Sequence, residues 1–390
     1  MKKVLFLPLF QMESGHHQTA HALMEAYSEQ HPEVICEKID FLNYMNPALE
    51  KKVSKFYLKW IKKKPGFYSS FYKKFFKGKS GFLQSFYGAL FLEKMEQLLG
   101  QKQPDLIICT HSFSSFLVSK LKEYGVCKAP VINIYTDFFI NSLWGKSGID
   151  WHFVPSRHIR EQLIRTGIPE DRIVISGIIS DDRIVTQKKR KKITGKLNIL
   201  AAGGSHGLGK NLDTLSRIEE NYPIEYRILC GSNEQLYKSY AAMGSSSVKP
   251  LSYISCRNTM NQLYDWADAI ITKPGGVTIG EALKKRVPIF IHSALPGQEE
   301  INLSYLKEKG LVYQLNENLP FEDQIISVLN NQPLLFKMHK SVNEYAGELE
   351  LSSCKEAVNF INRQIVHKPA VVQQDYIDGL FSRLYSNGNY

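Results

Sequence analysis

One segment near residue 270 has residue types and spacing that suit the binding of a nucleotide sugar. Residues 269–272 form an apolar run of strand length, Gly275 and Gly276 permit a tight turn, and helical composition resumes at Thr278. Such a turn presents free backbone N–H groups and the positive end of a helix dipole, which stabilise a phosphate. Glu281, one turn further on, can accept hydrogen bonds from ribose hydroxyls. By spacing alone, the segment also fits an ordinary βαβ unit.

Polar side chains follow the next predicted strand, which spans residues 287–291. We place Gln298, Glu299 and Asn302 in the loop after this strand. Amide and carboxylate oxygens at this spacing are suited to bind sugar hydroxyls.

A glycine-rich loop over residues 203–209 follows the predicted strand at 197–201. Loops of this kind commonly approach a phosphate closely. The spacing differs from the dinucleotide-binding pattern, so we do not predict a nicotinamide cofactor.

Two histidines follow the first predicted strand, which spans residues 2–8. Ser14 or Gly15 is suited to cap the next helix, and this places His16 or His17 at the rim where open α/β sheets bind ligands. A histidine there can take a proton from a hydroxyl group. By position alone, a surface or capping histidine is the commoner case.

Strand-length apolar runs alternate with helical segments along most of the chain, which predicts parallel sheets of the doubly wound type. A polar, basic run over residues 187–192 is typical of a linker, and a second strand and helix series begins after it. We therefore predict an α/β fold with two Rossmann-like domains that face each other across a cleft. The predicted boundaries are 1–186, 187–366 and a C-terminal tail at 367–390.

The composition is that of a globular protein, with 43% hydrophobic and 22% charged residues among 390. Its apolar runs are shorter than the ~20 residues that cross a bilayer, and we expect the chain to reside on the cytoplasmic side. The six cysteines show no Cys-x-x-Cys spacing, so we expect reduced thiols without zinc or disulfides.

The net charge of +11 resides in one segment. Between Lys51 and Lys79 there are eleven lysines and no acidic residue. Aromatic residues recur there at helical spacing, which predicts two amphipathic helices on an anionic membrane. Packing on the chain's own domain and binding of single-stranded nucleic acid are alternatives, and the lack of arginine weighs against nucleic acid. The predicted membrane-binding residues are Lys55, Trp60, Lys62, Lys63, Phe71, Lys74 and Phe75.

Five motifs in order give the chain a resemblance to a known family. They are Gly15-His16 with Ala20, Thr136-Asp137-Phe138 with Trp144, Gly204-Ser205-His206-Gly207 with Lys210-Asn211, Thr272-Lys273-Pro274-Gly275-Gly276 with Glu281-Ala282, and Pro296-Gly297-Gln298-Glu299 with Asn302. Together they resemble the GT-B diacylglycerol glycosyltransferases, which include bacterial processive diacylglycerol glucosyltransferases and plastid monogalactosyldiacylglycerol synthases. The chain is more distantly similar to the transferase that adds N-acetylglucosamine to lipid I.

The resemblance implies a UDP-sugar donor in the C-terminal domain, a lipid acceptor in the N-terminal domain, and inversion at the anomeric carbon. His16 is then the general base, with His17 as the second choice, and Asp137 orients the base or the acceptor. The segment 257–260 lies by the uracil. The implied donor-binding residues are Gly204, Ser205, His206, Met260, Gly275, Gly276, Thr278, Glu281, Gln298, Glu299 and Asn302.

Three positions depart from the family pattern, on the acceptor side or at the hinge. Glu13 replaces a glycine, Asn141 replaces a histidine, and residues 177–181 lack the usual Gly-Ile-Pro with a basic residue. The chain contains no Asp-x-Asp pair of the kind that metal-dependent transferases use, so we expect neither a metal nor a cofactor.

The resulting hypothesis is a peripheral enzyme on the cytoplasmic face of the membrane that transfers glucose or galactose from UDP-glucose or UDP-galactose to diacylglycerol. Two alternatives are the same chemistry on a polyprenyl-linked or other lipid, and a UDP-sugar sensor without catalysis. We expect no nucleic-acid partner.

Overall fold

The computed structural model of the chain describes residues 2–11, 13–48, 50, 81–186, 195–204 and 223–364, without the side chains of residues 81–90. The predicted membrane-binding segment at 51–79 lies outside the described residues, and with it Lys55, Trp60, Lys62, Lys63, Phe71, Lys74 and Phe75. The linker at 187–192, Ser205 with His206, and the tail at 367–390 also lie outside them.

The N-terminal domain is built on six parallel strands in the order β2-β1-β3-β4-β5-β6. Strands β3 and β4 are buried along their whole length, because helices cover both faces of a parallel sheet. The strands are β1 (Lys3–Leu7), β2 (Ile35–Lys38), β3 (Leu106–Cys109), β4 (Val131–Ile134), β5 (Trp151–Val154) and β6 (Ile173–Ile175). The helices are α1 (Gly15–Gln30), α2 (Phe41–Met45), α3 (Gly81–Lys102), α4 (Ser112–Glu123) and α5 (Arg157–Arg165), with a 3-10 turn at Glu170–Arg172.

The C-terminal domain repeats this plan with the strand order β12-β11-β10-β7-β8-β9, again all parallel. Its strands are β7 (Leu197–Ala202), β8 (Ile224–Leu229), β9 (Val248–Leu251), β10 (Ala269–Thr272), β11 (Ile289–Ile291) and β12 (Tyr313–Gln314). The helices that follow are α6 (Glu234–Ala242), α7 (Arg257–Trp266), α8 (Gly276–Lys284), α9 (Gln298–Glu308), α10 (Phe321–Asn330), α11 (Gln332–Gly347) and α12 (Cys354–Gln364).

The predicted fold of two doubly wound parallel-sheet domains is confirmed. In each sheet the strand order reverses beside the first strand, between β1 and β3 and between β7 and β10. Ligands of open α/β sheets bind at the carboxyl ends of the strands at this switch point. The loops after these four strands therefore position the site.

The sequence prediction was wrong for the residues after β11. Gln298, Glu299 and Asn302 belong to helix α9, which begins at Gln298, and not to a loop. The misleading signal was Pro296-Gly297, which ends just before the helix. Helices α2 and α6 and the two-residue strand β12 were also not predicted.

Helix α12 crosses back onto the N-terminal domain, although we group its residues with the C-terminal domain on sequence grounds. Val358 and Ile361 are buried with Tyr27 of α1 in one apolar cluster. The predicted boundary at residue 186 adjoins the linker outside the described residues and stays a prediction. Among the helices described, none combines the length and apolar character needed to cross a membrane.

Candidate active site

His16 lies in the first turn of α1, at the carboxyl end of β1, where Ser14 is the N-cap residue. Its Nδ1 is 2.8 Å from the carbonyl oxygen of Thr110 and 2.8 Å from the hydroxyl oxygen of Thr136. Because a carbonyl oxygen only accepts hydrogen bonds, Nδ1 donates its hydrogen and the neutral ring keeps its lone pair on Nε2. Burial lowers the pKa of His16 and outweighs the opposing charge of Asp137. Burial therefore favours the neutral ring, in the tautomer that can accept a proton on Nε2.

His17, the second choice for a base, is buried within the N-terminal domain. Its side chain is 1% exposed, its Nε2 is 2.8 Å from Asp40 Oδ1, and its Nδ1 is 3.0 Å from Ser14 Oγ. Both ring nitrogens are therefore engaged within the N-terminal domain, and the geometry favours His16.

His111 is a further ring beside His16 that the sequence did not single out. The two rings meet edge to face with centroids 4.9 Å apart. His111 caps α4 by accepting the Phe113 N–H on Nδ1 at 3.1 Å, so the hydrogen of the neutral ring is on Nε2. Burial lowers the pKa of His111 well below its usual value, and His16 lowers it further. The sequence feature that could have identified His111 is its position two residues after the end of β3, the strand beside β1 at the switch point.

The N-terminus of α8 faces this site across the cleft. A Cβ atom added to Gly276 would lie 1.8 Å from the carbonyl oxygen of Thr136, and one added to Gly15 would lie 3.1 Å from Val277 Cγ2. A Cβ added to Gly275 would meet no atom within 4 Å. Gly276 is therefore needed for contact between the domains, which the sequence did not reveal, whereas Gly275 borders open space at the start of the helix.

Glu281 lies in a pocket at the carboxyl ends of β7 and β8, where the nucleotide is expected. Its side chain is buried, and its Oε2 accepts a hydrogen bond from the Tyr264 hydroxyl at 2.9 Å. Burial raises the pKa of Glu281, and Arg257, whose Nη1 is 3.7 Å from Oε1, opposes this rise. Tyr264 thus uses part of the hydrogen-bonding capacity of the carboxylate that we expect to bind the ribose, and this expectation stays a prediction. Tyr264 follows Met260 by one turn of α7, a spacing that a helical reading could have detected.

The same pocket collects four of the implied donor-binding residues. Gly204, Met260, Thr278 and Glu281 line it together, and Gly204 has a positive φ of 69°, which suits glycine. Gln18 of α1 lines it from the N-terminal domain and was not predicted.

Glu299 lies at the start of α9, near the loop that precedes α8. Its Oε2 accepts the Leu295 N–H at 2.6 Å. Burial raises the pKa of Glu299, while the Leu295 N–H and the charge of Lys273 oppose the rise. Gln298 is the first residue of the same helix. Both side chains thus remain candidates for binding the sugar.

Asn302 differs from its two neighbours in the predicted sugar motif. Its side chain is buried at 1% exposure and bonds to Asp137, Phe138 and Pro274. The structure thus places it between the domains, and its two amide hydrogens are used there.

Among the described residues, no cluster of His, Cys, Asp and Glu side chains is arranged to hold a metal ion. The expectation that no metal is needed stays a prediction.

Comparison with known proteins places this arrangement in context. Residues 16–179 match the family model of monogalactosyldiacylglycerol (MGDG) synthase. The chain is 37% identical over 367 residues to the "Uncharacterized glycosyltransferase YkoN" of Bacillus subtilis (strain 168). The aligned region covers 93% of this chain and 97% of that protein. It is 25% identical over 373 residues to the processive diacylglycerol beta-glucosyltransferase of the same organism, with 92% and 94% covered.

A solved structure agrees with the fold. The crystal structure of Acinetobacter baumannii MurG superposes with a TM-score of 0.58 at 15% identity, covering 93% of this chain and all of that one. At this level of identity, the likeness concerns the GT-B fold alone.

Proposed function

The chain belongs to the diacylglycerol glycosyltransferases of glycosyltransferase family 28, and from that membership we propose that it transfers glucose or galactose from a UDP-sugar to diacylglycerol, with inversion. The product is a glycolipid, and the reaction takes place on the cytoplasmic face of the membrane. The two curated Bacillus subtilis relatives, which match along almost the whole chain, support the class of reaction.

The observation that carries the proposal is the meeting of two helix starts. Helix α1 presents His16, and helix α8 presents the backbone N–H groups suited to a diphosphate. The contact between Gly15 and Val277 brings these helix starts together. A base and a site for the leaving group thus face one cleft, as one displacement requires.

The chemistry follows from this placement. Nε2 of His16 takes the proton of the acceptor hydroxyl, and the oxygen bonds to the anomeric carbon while the bond from that carbon to the diphosphate oxygen breaks. The electron pair leaves with UDP. Its developing negative charge is stabilised by the positive N-terminus of α8. Attack from the face opposite the diphosphate inverts the anomeric carbon.

The proposal is tested by mass spectrometry of the lipids formed when the purified protein meets liposomes that contain diacylglycerol. UDP-glucose and UDP-galactose are supplied separately, with and without EDTA. We expect a hexosyl-diacylglycerol from one donor, undiminished by EDTA because the helix N-terminus takes the place of a metal ion. A dihexosyl product would also establish processivity.

The matched variants are His16→Ala and His21→Ala, both on α1. Removal of the base should lower turnover by about 10²–10⁴-fold while UDP-sugar binding persists. His21 is exposed and lies one turn further along, so its removal should leave turnover unchanged. Unchanged turnover in His16→Ala would remove the assignment of the base. If neither sugar is transferred although UDP protects the fold against heat, a polyprenyl-linked lipid or a sensor role takes its place.

A further inference from the structure

The loop after β4 belongs to the N-terminal domain, yet one of its side chains, Phe138, packs within the C-terminal domain. Phe138 is 1% exposed and is part of the C-terminal apolar core. Its ring stacks on Tyr305 of α9 at 5.4 Å between centroids, and Tyr345 of α11 lies 6.2 Å away. Burial of a phenylalanine side chain contributes about 1.5–3 kcal/mol. The C-terminal domain therefore fixes the position of this loop.

Asn302, one turn before Tyr305, completes this attachment with three hydrogen bonds. Its Oδ1 accepts the Phe138 N–H at 2.8 Å. Its Nδ2 donates to Asp137 Oδ1 at 2.9 Å and to the carbonyl oxygen of Pro274 at 3.0 Å. Both amide hydrogens are used, Oδ1 already accepts the Phe138 N–H, and the residue is 1% exposed, so the side chain is not accessible to a sugar hydroxyl.

The same loop also contacts the general base. The Thr136 hydroxyl lies 2.8 Å from His16 Nδ1, and the next residue is Asp137, whose negative charge favours the protonated form of His16. The base must acquire a positive charge as it takes the acceptor proton. A carboxylate held near the ring stabilises that charge.

We infer that Asn302 is a positioning residue for transfer: it holds Asp137 beside the base and does not read the transferred sugar. This inference rests on the proposed function, because it assigns Asn302 a role in that reaction. The residue acts through Asp137, and its position on α9 connects the helix that carries Gln298 and Glu299 to the acceptor side.

Two variants of Asn302 separate positioning from sugar binding. Asn302→Ala removes all three bonds. Asn302→Asp keeps an oxygen for the Phe138 N–H but replaces the donor to Asp137 with a second carboxylate oxygen. Ser304→Ala is the control on the same helix, because the hydrogen bond that the Ser304 hydroxyl donates lies within α9, to the Glu300 carbonyl oxygen.

The experiment measures kcat for glycolipid formation and the dissociation constants of UDP and the UDP-sugar. We expect kcat to fall by about 10²-fold in both Asn302 variants, the cost of a misplaced group in an active site. The ratio of the two dissociation constants should match that of the wild-type protein, and retained UDP binding shows that the variants fold. Ser304→Ala should behave as wild type.

A double variant tests whether Asn302 acts through Asp137. Because both residues then serve one function, Asp137→Ala with Asn302→Ala should be no slower than Asp137→Ala alone. Additive losses, unchanged kcat, or a weaker UDP-sugar affinity relative to UDP would each overturn the inference. A wild-type protein that forms no glycolipid would instead overturn the proposed function. The ratio of the two dissociation constants can be measured without turnover. If no glycolipid forms, an unchanged ratio still supports the inference that Asn302 does not bind the sugar, and a changed ratio contradicts it.

Discussion

At the scale of single residues, His16 gives the site a defined response to pH. Only the neutral ring can accept the acceptor proton, and burial lowers its pKa below the usual 6.5. We therefore expect kcat/KM to stay constant as the pH is lowered through 6.5 and to decline only at lower pH, where His16 becomes protonated. A pH–rate profile checks this. His16→Ala, measured in parallel, should lack this acid limb, and a decline centred above pH 6.5 would contradict the assignment.

Residues whose position follows from a local sequence pattern were the ones that the sequence could single out as candidates. His16 follows a strand and a cap, and Glu281 follows a glycine turn, so local spacing exposed both. Asn302 was interpreted as a sugar ligand because its neighbours Gln298 and Glu299 suit that role. Its bond to Asp137 joins residues 165 positions apart, and no local pattern carries that information.

At the scale of elements, helix α8 makes the contact between the domains with two glycines. A Cβ added to Gly276 would overlap the Thr136 carbonyl oxygen, and one added to Gly280 would lie 2.9 Å from Ile178 Cβ. The helix therefore lies against the N-terminal domain along one face. The sequence explained the first glycine only by the turn and the phosphate, because the neighbour that excludes a side chain comes from the other domain.

Because of this contact, we expect alanine substitution to have different effects at Gly276 and at Gly275. We expect Gly276→Ala to strain the domain contact by about 1–3 kcal/mol, the usual cost of overpacking. Its melting temperature should fall, and transfer should be reduced. Gly275→Ala should keep the wild-type melting temperature, because its φ of −80° suits alanine and its Cβ would meet open space. Differential scanning fluorimetry of the pair makes the comparison, and equal melting temperatures in all three proteins would contradict the overlap.

Strands and helices with a clear apolar pattern were predicted well, and elements that begin with polar residues were not. The sequence predicts strands at 248–251 and 269–272 and helices at 112–123 and 321–330. Strands β9 and β10 and helices α4 and α10 begin and end at these residues. Helix α9 was missed because its first residues, Gln298, Glu299 and Glu300, have no apolar period from which a helix can be recognised. Its core contacts come later, from Leu303 and Leu306.

At the scale of the whole molecule, attachment to a membrane is a prediction about the basic, aromatic segment at 51–79. Replacement of Trp60, Phe71 and Phe75 by Ser should reduce sedimentation with anionic liposomes, because the aromatic rings anchor such helices in the interface. UDP binding should be unchanged, since the donor pocket lies in the other domain. Equal sedimentation of the variant and the wild-type protein would favour helices packed on the domain itself.

The two-domain plan was predictable because the chain contains two successive series of alternating strands and helices. The return of α12 to the first domain was not, because its apolar face is consistent with packing on either domain. What selects the first domain is a set of distant partners. The Asp182 carboxylate accepts the N–H groups of Cys354 at 2.7 Å and Lys355 at 3.0 Å.

The two passages of the chain between the domains are thereby tied to each other. The first leaves β6 through residues 176–186, the second connects α11 to α12, and the Cys354 thiol also donates to the Ser180 carbonyl oxygen at 3.1 Å. Two chain connections that run side by side restrict the relative movement of two domains mainly to rotation near the joint. Opening of the cleft would have to break the bonds of Asn302 to Asp137 and Phe138. The bonds of Asp182 would stay intact, because Asp182 and α12 both lie on the first domain. We therefore expect the cleft to open by a swing about this joint, which would bring the two halves of the site back to the same register on closure.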